Sequence, residues 1–182
     1  ATKGIITHKG LIFSLGIICS VASLLNANKV KDIKSDKISL YIKKMTKGLT
    51  DEFKFTKKNK KLTNGEKIYN KYGITGIRGE VESGFKTVFN TGLKEIRNYD
   101  KKRIDKNKLF IQVLISIMTQ CKDSNVLYRH NIETLNMVQN LTNDFLEDGG
   151  MYKEKSISKI KKMDKLFIKK NISPGGSADL LA

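Results

Sequence analysis

The spacing of the apolar residues constrains this chain more than any other feature. Over residues 35–49 they recur every three or four positions, which is the period of one face of an α-helix. The same period returns from Ile132 to Phe145 and from Ile157 to Ile168. No segment alternates apolar and polar residues, and no hairpin dipeptide joins two strand-like runs. We therefore predict an all-α fold, a multi-helix globular bundle that forms a single domain over 1–182, with glycine-rich turns between helices forming the functional site.

Capping residues mark several of the expected helix ends. Ser35 is predicted to be the N-cap of the first stripe. Thr63 and Glu66 have the spacing of a capping box, and the helix that they open is predicted to end at Gly73. Asp105 is predicted to cap the helix that follows it. The sequence contains no Pro- or Ser-rich linker that would divide the chain.

Two segments, 11–25 and 108–121, are apolar on nearly every side, and we predict two central, nearly dry helices there. The first has fifteen residues, whereas a bilayer span needs about twenty, so we predict no membrane partner. With His8 and Lys9 in front of it, the same stretch also has the outline of a secretory signal peptide. On the residues alone, a buried helix and a leader both stay open.

The two cysteines, Cys19 and Cys121, each lie inside an apolar run. Cysteine in such a run usually behaves as a small buried hydrophobe, so we predict two buried, reduced thiols and a cytoplasmic protein. The sequence contains no Cys-x-x-Cys motif and no His/Cys cluster, which argues against a structural zinc site.

A formal net charge of +17 attracts polyanions such as nucleic acid, anionic membranes or phosphorylated small molecules. A basic nucleic-acid-binding helical module is therefore an alternative function. It predicts Lys and Arg concentrated on one exposed helix. In this chain they are spread from end to end, which is typical of solvated faces, so we predict no nucleic-acid partner.

Glycine is concentrated in "YGITGIRGEVESGF" (72–85), where it is interleaved with charged residues. Arg78 can hold a phosphate with two parallel hydrogen bonds, and Glu80 and Glu82 are the ligands that Mg²⁺ uses beside phosphate oxygens. A polar interhelical turn with a local Arg–Glu ion pair explains the same residues equally well. The sequence leaves both interpretations open.

Two expected helix N-termini are further candidate phosphate sites, because free backbone N–H groups there attract anions. One is the entry turn 7–10 with its Lys and His. The other lies in "SPGGSADLLA" (173–182), where Ser173 or Ser177 is expected to cap a short helix with Asp179 in its first turn. From spacing alone, a simple helix cap is the better interpretation of the second segment.

Four blocks in order, "THKGLIFSLGIIC", "YGITGIRGEVESGF", "DSNVLYR" and "ISPGGSADLLA", resemble the signature blocks of the triphosphoribosyl-dephospho-CoA synthase family. These enzymes make the prosthetic-group precursor of citrate lyase and, in relatives, of malonate decarboxylase. The chain departs from the family pattern in two places. Ile6 stands where the family commonly has Asn, and His130 and Asn131 stand where it commonly has two glycines.

The resemblance implies a transferase with ATP and 3′-dephospho-CoA as substrates. The 2′-hydroxyl of dephospho-CoA attacks the anomeric carbon of the ATP ribose, adenine leaves, and the triphosphate survives. The resemblance also implies roles for particular residues of this chain. Catalytic roles fall on His8, Glu80 and Glu82; substrate contacts on Thr7, Lys9, Arg78, Ser83, Asn125, Arg129, Ser177 and Asp179; and Mg²⁺ on Glu80 and Glu82.

The resemblance also implies that an N-terminal portion of the same enzyme precedes this chain, and that the apolar stretch at 11–25 is an internal helix of a cytoplasmic enzyme. Its downstream partner would be the citrate lyase acyl carrier system. A truncated scaffold without catalytic activity is the remaining alternative. If the resemblance holds, the turns at 7–10, 76–84 and 173–179 are expected to meet around one cavity.

Overall fold

The computed structural model describes residues 9–54, 61–101 and 103–182. Across these ranges the chain is helical and contains no β-strand, which confirms the predicted all-α class. The helices are α1 (Lys9–Ala27), α2 (Ser35–Met45), α3 (Asn64–Tyr72), α4 (Gly76–Glu82), α5 (Lys86–Asn90), α6 (Gly92–Arg97), α7 (Lys106–Gln120), α8 (Ser124–Arg129), α9 (Ile132–Glu147), α10 (Ser156–Lys169) and α11 (Gly175–Leu181), with 3₁₀ turns at Asp51–Lys54 and Gly150–Tyr152. Contacts between residues group the chain into two compact units, residues 1–86 and 87–182.

The first unit is built on three mutually packed helices, since α1 contacts α2 and α4, and α2 contacts α4. The predicted capping box of α3 is present. The Thr63 hydroxyl accepts the Glu66 N–H and the Glu66 carboxylate accepts the Thr63 N–H. Gly73 ends α3 in the left-handed conformation, as predicted. The predicted cap of α2 is wrong by one residue, because Ser35 is the first helical residue and Lys34 is the N-cap.

Helix α1 is not the dry central helix that its composition predicts. Its buried residues are Ser14, Val21 and Leu25, which form one narrow stripe, while the opposite side of the helix is exposed. By length and composition α1 is able to cross a membrane. The core helix of a soluble protein and an N-terminal signal sequence have the same properties, so this is weak evidence. The prediction fails because α2 and α4 contact α1 on one side.

The cysteines differ in environment. Cys19 lies on the exposed side of α1, so its predicted burial is wrong, whereas Cys121 is buried directly after α7, as predicted. No disulfide joins Cys19 and Cys121. An apolar run therefore predicted burial only where neighbouring helices surround it.

Helix α7 is the centre of the second unit, as predicted from its composition. It packs against α6, α9 and α11 and buries seven of its residues. Asp105 caps it, with the carboxylate accepting the Lys108 N–H at 2.9 Å. One buried polar residue, Gln112, joins two neighbours. Its amide oxygen accepts the Met151 N–H at 2.9 Å and its amide nitrogen donates to Glu95 at 3.2 Å.

The two amphipathic stripes of the second unit are buried to different degrees. In α9, Leu135, Val138 and Phe145 are buried, as their spacing predicts. In α10, Phe167 is buried while Ile168 remains 71% exposed. Asn131 caps α9, with its side-chain oxygen accepting the Thr134 N–H at 2.9 Å. The helical period therefore predicted both helices, but not how much of each stripe is covered.

Candidate functional site

The segment 76–84 is a helix with a tight end and not the glycine-rich turn that was predicted. Gly76–Glu82 form α4, and the chain leaves it through Gly84, whose φ of 71° is left-handed. The Gly84 N–H donates to the Val81 carbonyl and the Phe85 N–H to the Glu80 carbonyl, both at 2.8 Å. This pattern satisfies the last carbonyl groups of a helix. Helical hydrogen bonding at the centre of the segment therefore replaces the expected turn.

Close packing explains two of the glycines in this segment. A Cβ on Gly84 would lie 2.7 Å from the carbonyl oxygen of Ser39 in α2. The Ser39 hydroxyl also donates to the Gly84 carbonyl at 2.7 Å, so the end of α4 is fastened to α2. A Cβ on Gly79 would overlap the hydroxyl of Thr75. These glycines bring backbones together within the first unit, which is a structural role.

The Glu82 carboxylate holds the loop that follows α2. One oxygen accepts the Gly48 N–H at 2.6 Å. The other accepts the Thr50 N–H at 3.2 Å and the Thr50 hydroxyl at 2.5 Å. Three donors thus converge on one half-buried carboxylate, and the short segment 48–50 is tied to the end of α4.

These hydrogen bonds lower the pKa of Glu82 below its ordinary value. The Thr50 hydroxyl makes the largest contribution, partial burial opposes it, and the backbone N–H groups of Gly48 and Thr50 add to it. Hydrogen bonds to the charged form of a carboxylate favour that form. A carboxylate with a lowered pKa that is already saturated with donors is a weak general base, so the geometry favours a positioning role for Glu82.

Arg78 leaves α4 toward the 3₁₀ turn at 51–54. Its guanidinium donates to the Glu52 carboxylate at 2.9 Å, and its Cζ lies 5.1 Å from the centre of the Phe53 ring. The ion pair anticipated for Arg78 is therefore present, but its partner lies 26 residues away and not in the same turn. About a third of the Arg78 side chain, 37%, remains exposed to solvent beside this ion pair.

The predicted pair of Mg²⁺ ligands does not form a shared site. Glu80 and Glu82 stand two residues apart on a helix, so their side chains leave it in directions about 200° apart. The Glu82 oxygens are occupied by the Gly48 and Thr50 donors. Ser83 is engaged locally, donating to the Glu80 carbonyl at 2.7 Å and accepting the Lys86 N–H at 3.1 Å. In the described ranges no group of three or more His, Cys, Asp and Glu side chains is arranged to hold a metal ion.

In the second unit, a buried carboxylate joins two of the four sequence blocks. Asp123, only 2% exposed, precedes α8 and caps it, with one oxygen accepting the N–H groups of Asn125 and Val126. Its other oxygen accepts the Ser177 N–H at 2.8 Å and the Ser177 hydroxyl at 3.0 Å. Ser177 is itself only 1% exposed. We call this arrangement of Asp123, Ser177 and the starts of α8 and α11 the α8–α11 junction.

Two consecutive glycines make the α8–α11 junction possible. A Cβ on Gly175 would lie 2.5 Å from the amide nitrogen of Asn125, and one on Gly176 would lie 3.0 Å from an Asp123 oxygen. The N-terminus of α11 therefore approaches α8 more closely than any side chain allows. The expected cap of this helix is wrong, because Pro174 is the N-cap and the Ser177 hydroxyl is bonded to Asp123 instead. Asp179 lies beyond the first turn of α11, which contains no acidic residue.

The residues directly after α8 form one of the two departures from the family pattern. Arg129 is exposed at the end of α8. His130 follows it, and its Nε2 lies 2.9 Å from the Asn171 carbonyl, which requires the proton on Nε2. Asn131 is the cap of α9. His130 and Asn131 are thus each hydrogen-bonded at the connection between α8 and α9, and Asn125 and Arg129 in α8 are exposed.

The remaining predicted site residues belong to the start of the chain. Thr7 and His8 lie outside the described residues, whereas Lys9 is described and exposed at the first position of α1. The predicted meeting of three turns around one cavity stays a prediction. Part of the first turn is outside the described residues, and the 76–84 and 173–179 turns belong to different units.

Sequence reasoning missed the two carboxylate anchors. Asp123 begins the block "DSNVLYR", and an Asp directly before "SNV" has the signature of a helix N-cap. Its second bond, to Ser177, spans 54 residues and has no local signal. The bonds from Glu82 to Gly48 and Thr50 span more than 30 residues and are equally invisible in the sequence.

Comparison with known proteins gives one consistent family. The family described as CitG, ATP:dephospho-CoA triphosphoribosyl transferase, matches residues 1–182. A protein named probable 2-(5''-triphosphoribosyl)-3'-dephosphocoenzyme-A synthase from Vibrio cholerae serotype O1 (strain M66-2) is 36% identical over 183 residues, which are 100% of this chain and 58% of that protein. One of the same name from Photobacterium profundum is 38% identical, with the same coverage. Protein CitXG of Haemophilus influenzae is 35% identical over all of this chain and 40% of its own length. No solved structure matches the chain.

Proposed function

Because the chain belongs to the ATP:dephospho-CoA triphosphoribosyl transferase family, we propose that it provides part of an enzyme that joins ATP to 3′-dephospho-CoA with release of adenine. The observation that carries this proposal is the family match along all 182 residues. The α8–α11 junction supports it, because a buried carboxylate holds together two separate blocks of the family signature.

The proposed reaction exchanges one bond at the ribose of ATP. The 2′-oxygen of dephospho-CoA forms a bond to the anomeric carbon, the bond from that carbon to adenine N9 breaks, and the bonding pair leaves with adenine. The hydroxyl proton goes to a base, and adenine receives a proton from an acid. The ribose passes through an oxocarbenium-like state, as in glycoside cleavage. The triphosphate takes no part in bond breaking and must only be held.

The described side chains suit this division of tasks in different ways. Lys9 and Arg129 are exposed cations that are able to hold phosphates, and Arg78 does so in exchange for Glu52. Asn125 is exposed beside the close approach of Gly175 and is positioned to contact a ribose or phosphate. Ser177 and Glu82 act as positioning residues in this proposal, since their polar atoms are engaged in hydrogen bonds within the protein.

Acid–base work then falls on Glu80 and His8 in this proposal. Glu80 is a half-buried carboxylate near the end of α4, and His8 stands one position before α1, outside the described residues. A positioned acid or base typically contributes about 10²–10⁴-fold in rate. The substitutions Glu80→Gln and His8→Ala are each expected to lower adenine release by that amount.

We propose that Mg²⁺ enters as the counter-ion of the triphosphate. The divergent Glu80 and Glu82 side chains do not supply a two-carboxylate site, so no step of the reaction is assigned to a protein-bound ion. Asp179 is half-buried near the end of the chain, and its proposed contact with the second nucleotide is a separate expectation.

The chain spans 58% of the length of the Vibrio relative, so the whole enzyme's activity belongs to a longer protein in that organism. We propose that an N-terminal portion completes the enzyme here as well. We also propose a cytoplasmic location, since no disulfide joins Cys19 and Cys121, and the citrate lyase acyl carrier system as the downstream partner.

The test is incubation of the full-length protein with ATP, Mg²⁺ and 3′-dephospho-CoA, with free adenine measured by chromatography. We expect adenine only when both nucleotides are present, together with a product of the mass of their sum less adenine. Tight binding to nucleic acid without adenine release would favour a basic nucleic-acid-binding module. Absence of both would favour a scaffold without catalytic activity.

A further inference from the structure

Helix α1 has one buried face and, on the opposite side, one exposed face. Ser14, Val21 and Leu25 are buried on the side that contacts α2 and α4. The other side is exposed although it is apolar. We define the α1 outer face by the exposed residues that lie within about 140° of one another around the helix. They are Ile12, Leu15, Gly16, Cys19, Ser20, Ser23 and Ala27, with the polar Lys9 and Asn26 at the two ends of the same sector.

The α1 outer face has large side chains near its start and small ones further along the helix. Ile12 is 64% exposed and Leu15 is 45% exposed. Beyond them the residues are small, and a Cβ on Gly16 would meet nothing within 4 Å. Soluble proteins rarely leave a contiguous apolar surface of this kind uncovered, and small residues permit the close approach of another backbone.

Three kinds of occupant are possible: a bilayer, a second copy of the chain, or further residues of the same protein. A helix that lies on a membrane surface carries Lys and Arg along its polar face, but the only charged residue of α1 is Lys9 at its first position. A spanning helix would have to give up its packed stripe against α2 and α4. A second copy carries the same charge of +17, and that repulsion opposes self-association.

The length of the relatives favours the third occupant. The matched residues make up 58% of the Vibrio relative, which leaves about 130 residues outside the match, the size of an ordinary domain. We propose that the α1 outer face is the docking surface for that further portion of the family protein, which presents a helix with bulky aliphatic side chains. These side chains pack over Gly16, Ser20 and Ser23, and Ile12 and Leu15 pack beside them. The inference rests on the proposed completion of the enzyme by further residues.

The experiment measures thiol labelling by a maleimide in two proteins, the 182-residue chain and the full-length Vibrio relative. The first uses its own Cys19 and the relative carries a single cysteine at the aligned position. A matched control places the single cysteine at Asp164, exposed on α10, and at its aligned position. We expect similar rates at both sites in the 182-residue chain. In the relative, the α1 site is expected to react about tenfold or more slowly while the control site is unchanged, because labelling of a covered site needs local opening.

Equal labelling of the two sites in the full-length relative overturns the proposal. So does protection in the 182-residue chain that disappears on dilution, which identifies a second copy, or protection that appears only with phosphatidylglycerol vesicles, which identifies a membrane. If the cysteine at position 19 unfolds the relative, the position aligned with Leu15 takes its place. Labelling does not depend on turnover, so a protected but inactive relative would refute the proposed reaction and leave the docking surface intact.

Discussion

Replacing Glu82 by Gln distinguishes a positioning role of this residue from a catalytic one. The amide oxygen of Gln can replace one of the two carboxylate oxygens and keep its hydrogen bonds. The amide nitrogen then replaces the other oxygen and cannot accept from the donors there. At least one of the three hydrogen bonds from Gly48 and Thr50 is therefore lost. A hydrogen bond to a charged group contributes about 1.5–3 kcal/mol, and partial exposure of Glu82 lowers that, so we expect a loss of about 1–2 kcal/mol at pH 7.

The expected loss is measurable by urea unfolding. In a chain of this length it corresponds to a fall in Tm of about 2–8 °C. The matched control is Glu154→Gln, which removes the same charge from an exposed residue and is expected to change stability by less than about 0.5 kcal/mol. If Glu82→Gln changed the free energy of unfolding by no more than the control does, the positioning role would be wrong. Loss of adenine release with unchanged stability would instead restore Glu82 to catalysis.

The pH dependence gives an independent check on the same carboxylate. The pKa of Glu82 is lower in the folded than in the unfolded protein, so its contribution is fully present above the unfolded value of about 4.3 and is lost as the pH falls through the folded value. The difference in stability between wild type and Glu82→Gln is therefore expected to be constant from pH 6 to 8 and to shrink below about pH 4. A difference that grew on acidification would contradict the assigned direction of the pKa.

Three further substitutions or modifications test particular contacts. Asp123→Asn leaves buried donors of the α8–α11 junction unpaired and is expected to lower the free energy of unfolding in urea by about 2–5 kcal/mol. The control Asp164→Asn, on the surface, is expected to lower it by less than about 0.5 kcal/mol. Equal effects of the two substitutions would refute the role of Asp123 in the junction. Gly84→Ala forces a side chain into a left-handed φ and against Ser39, and is expected to lower the free energy of unfolding by about 2 kcal/mol or more. The control Gly16→Ala is expected to stabilise α1 by about 0.5–1 kcal/mol. An unchanged stability of Gly84→Ala would contradict the close packing of α4 on α2. In the native 182-residue chain, a thiol reagent is expected to modify Cys19 promptly and the buried cysteine after α7 only on unfolding, as mass spectrometry of the labelled chain would show.

The periodic features of the sequence predicted most of the helices. The capping box at Thr63, the left-handed Gly73 and the Asp105 cap are local signals, and the structure has each of them where the sequence places it. The predictions of burial failed where burial depends on neighbours that are distant in sequence. The apolar runs of α1 and α7 have similar composition, but α7 lies among three helices whereas α1 contacts helices on one side.

The candidate site divides in the same way. The four blocks were identified by their resemblance to the family and their order along the chain, whereas the residue types alone left a structural turn and a phosphate site equally open at 72–85. The partners of their side chains did not follow from spacing, since Glu82 bonds to Thr50 and Asp123 bonds to Ser177 across long stretches of chain. The glycine at position 84 was correctly identified as unusual, and its cause is the left-handed φ together with the close approach of Ser39.

The fate of the triphosphate tests the proposed reaction most directly. The full-length protein is incubated with 3′-dephospho-CoA and ATP that is radiolabelled in the γ-phosphate, and the products are separated by chromatography. We expect the label to move intact into the dephospho-CoA product, with one unlabelled adenine released for each product formed. Label appearing as phosphate or pyrophosphate, or transferred without adenine release, would contradict the account and indicate a kinase or a hydrolase instead.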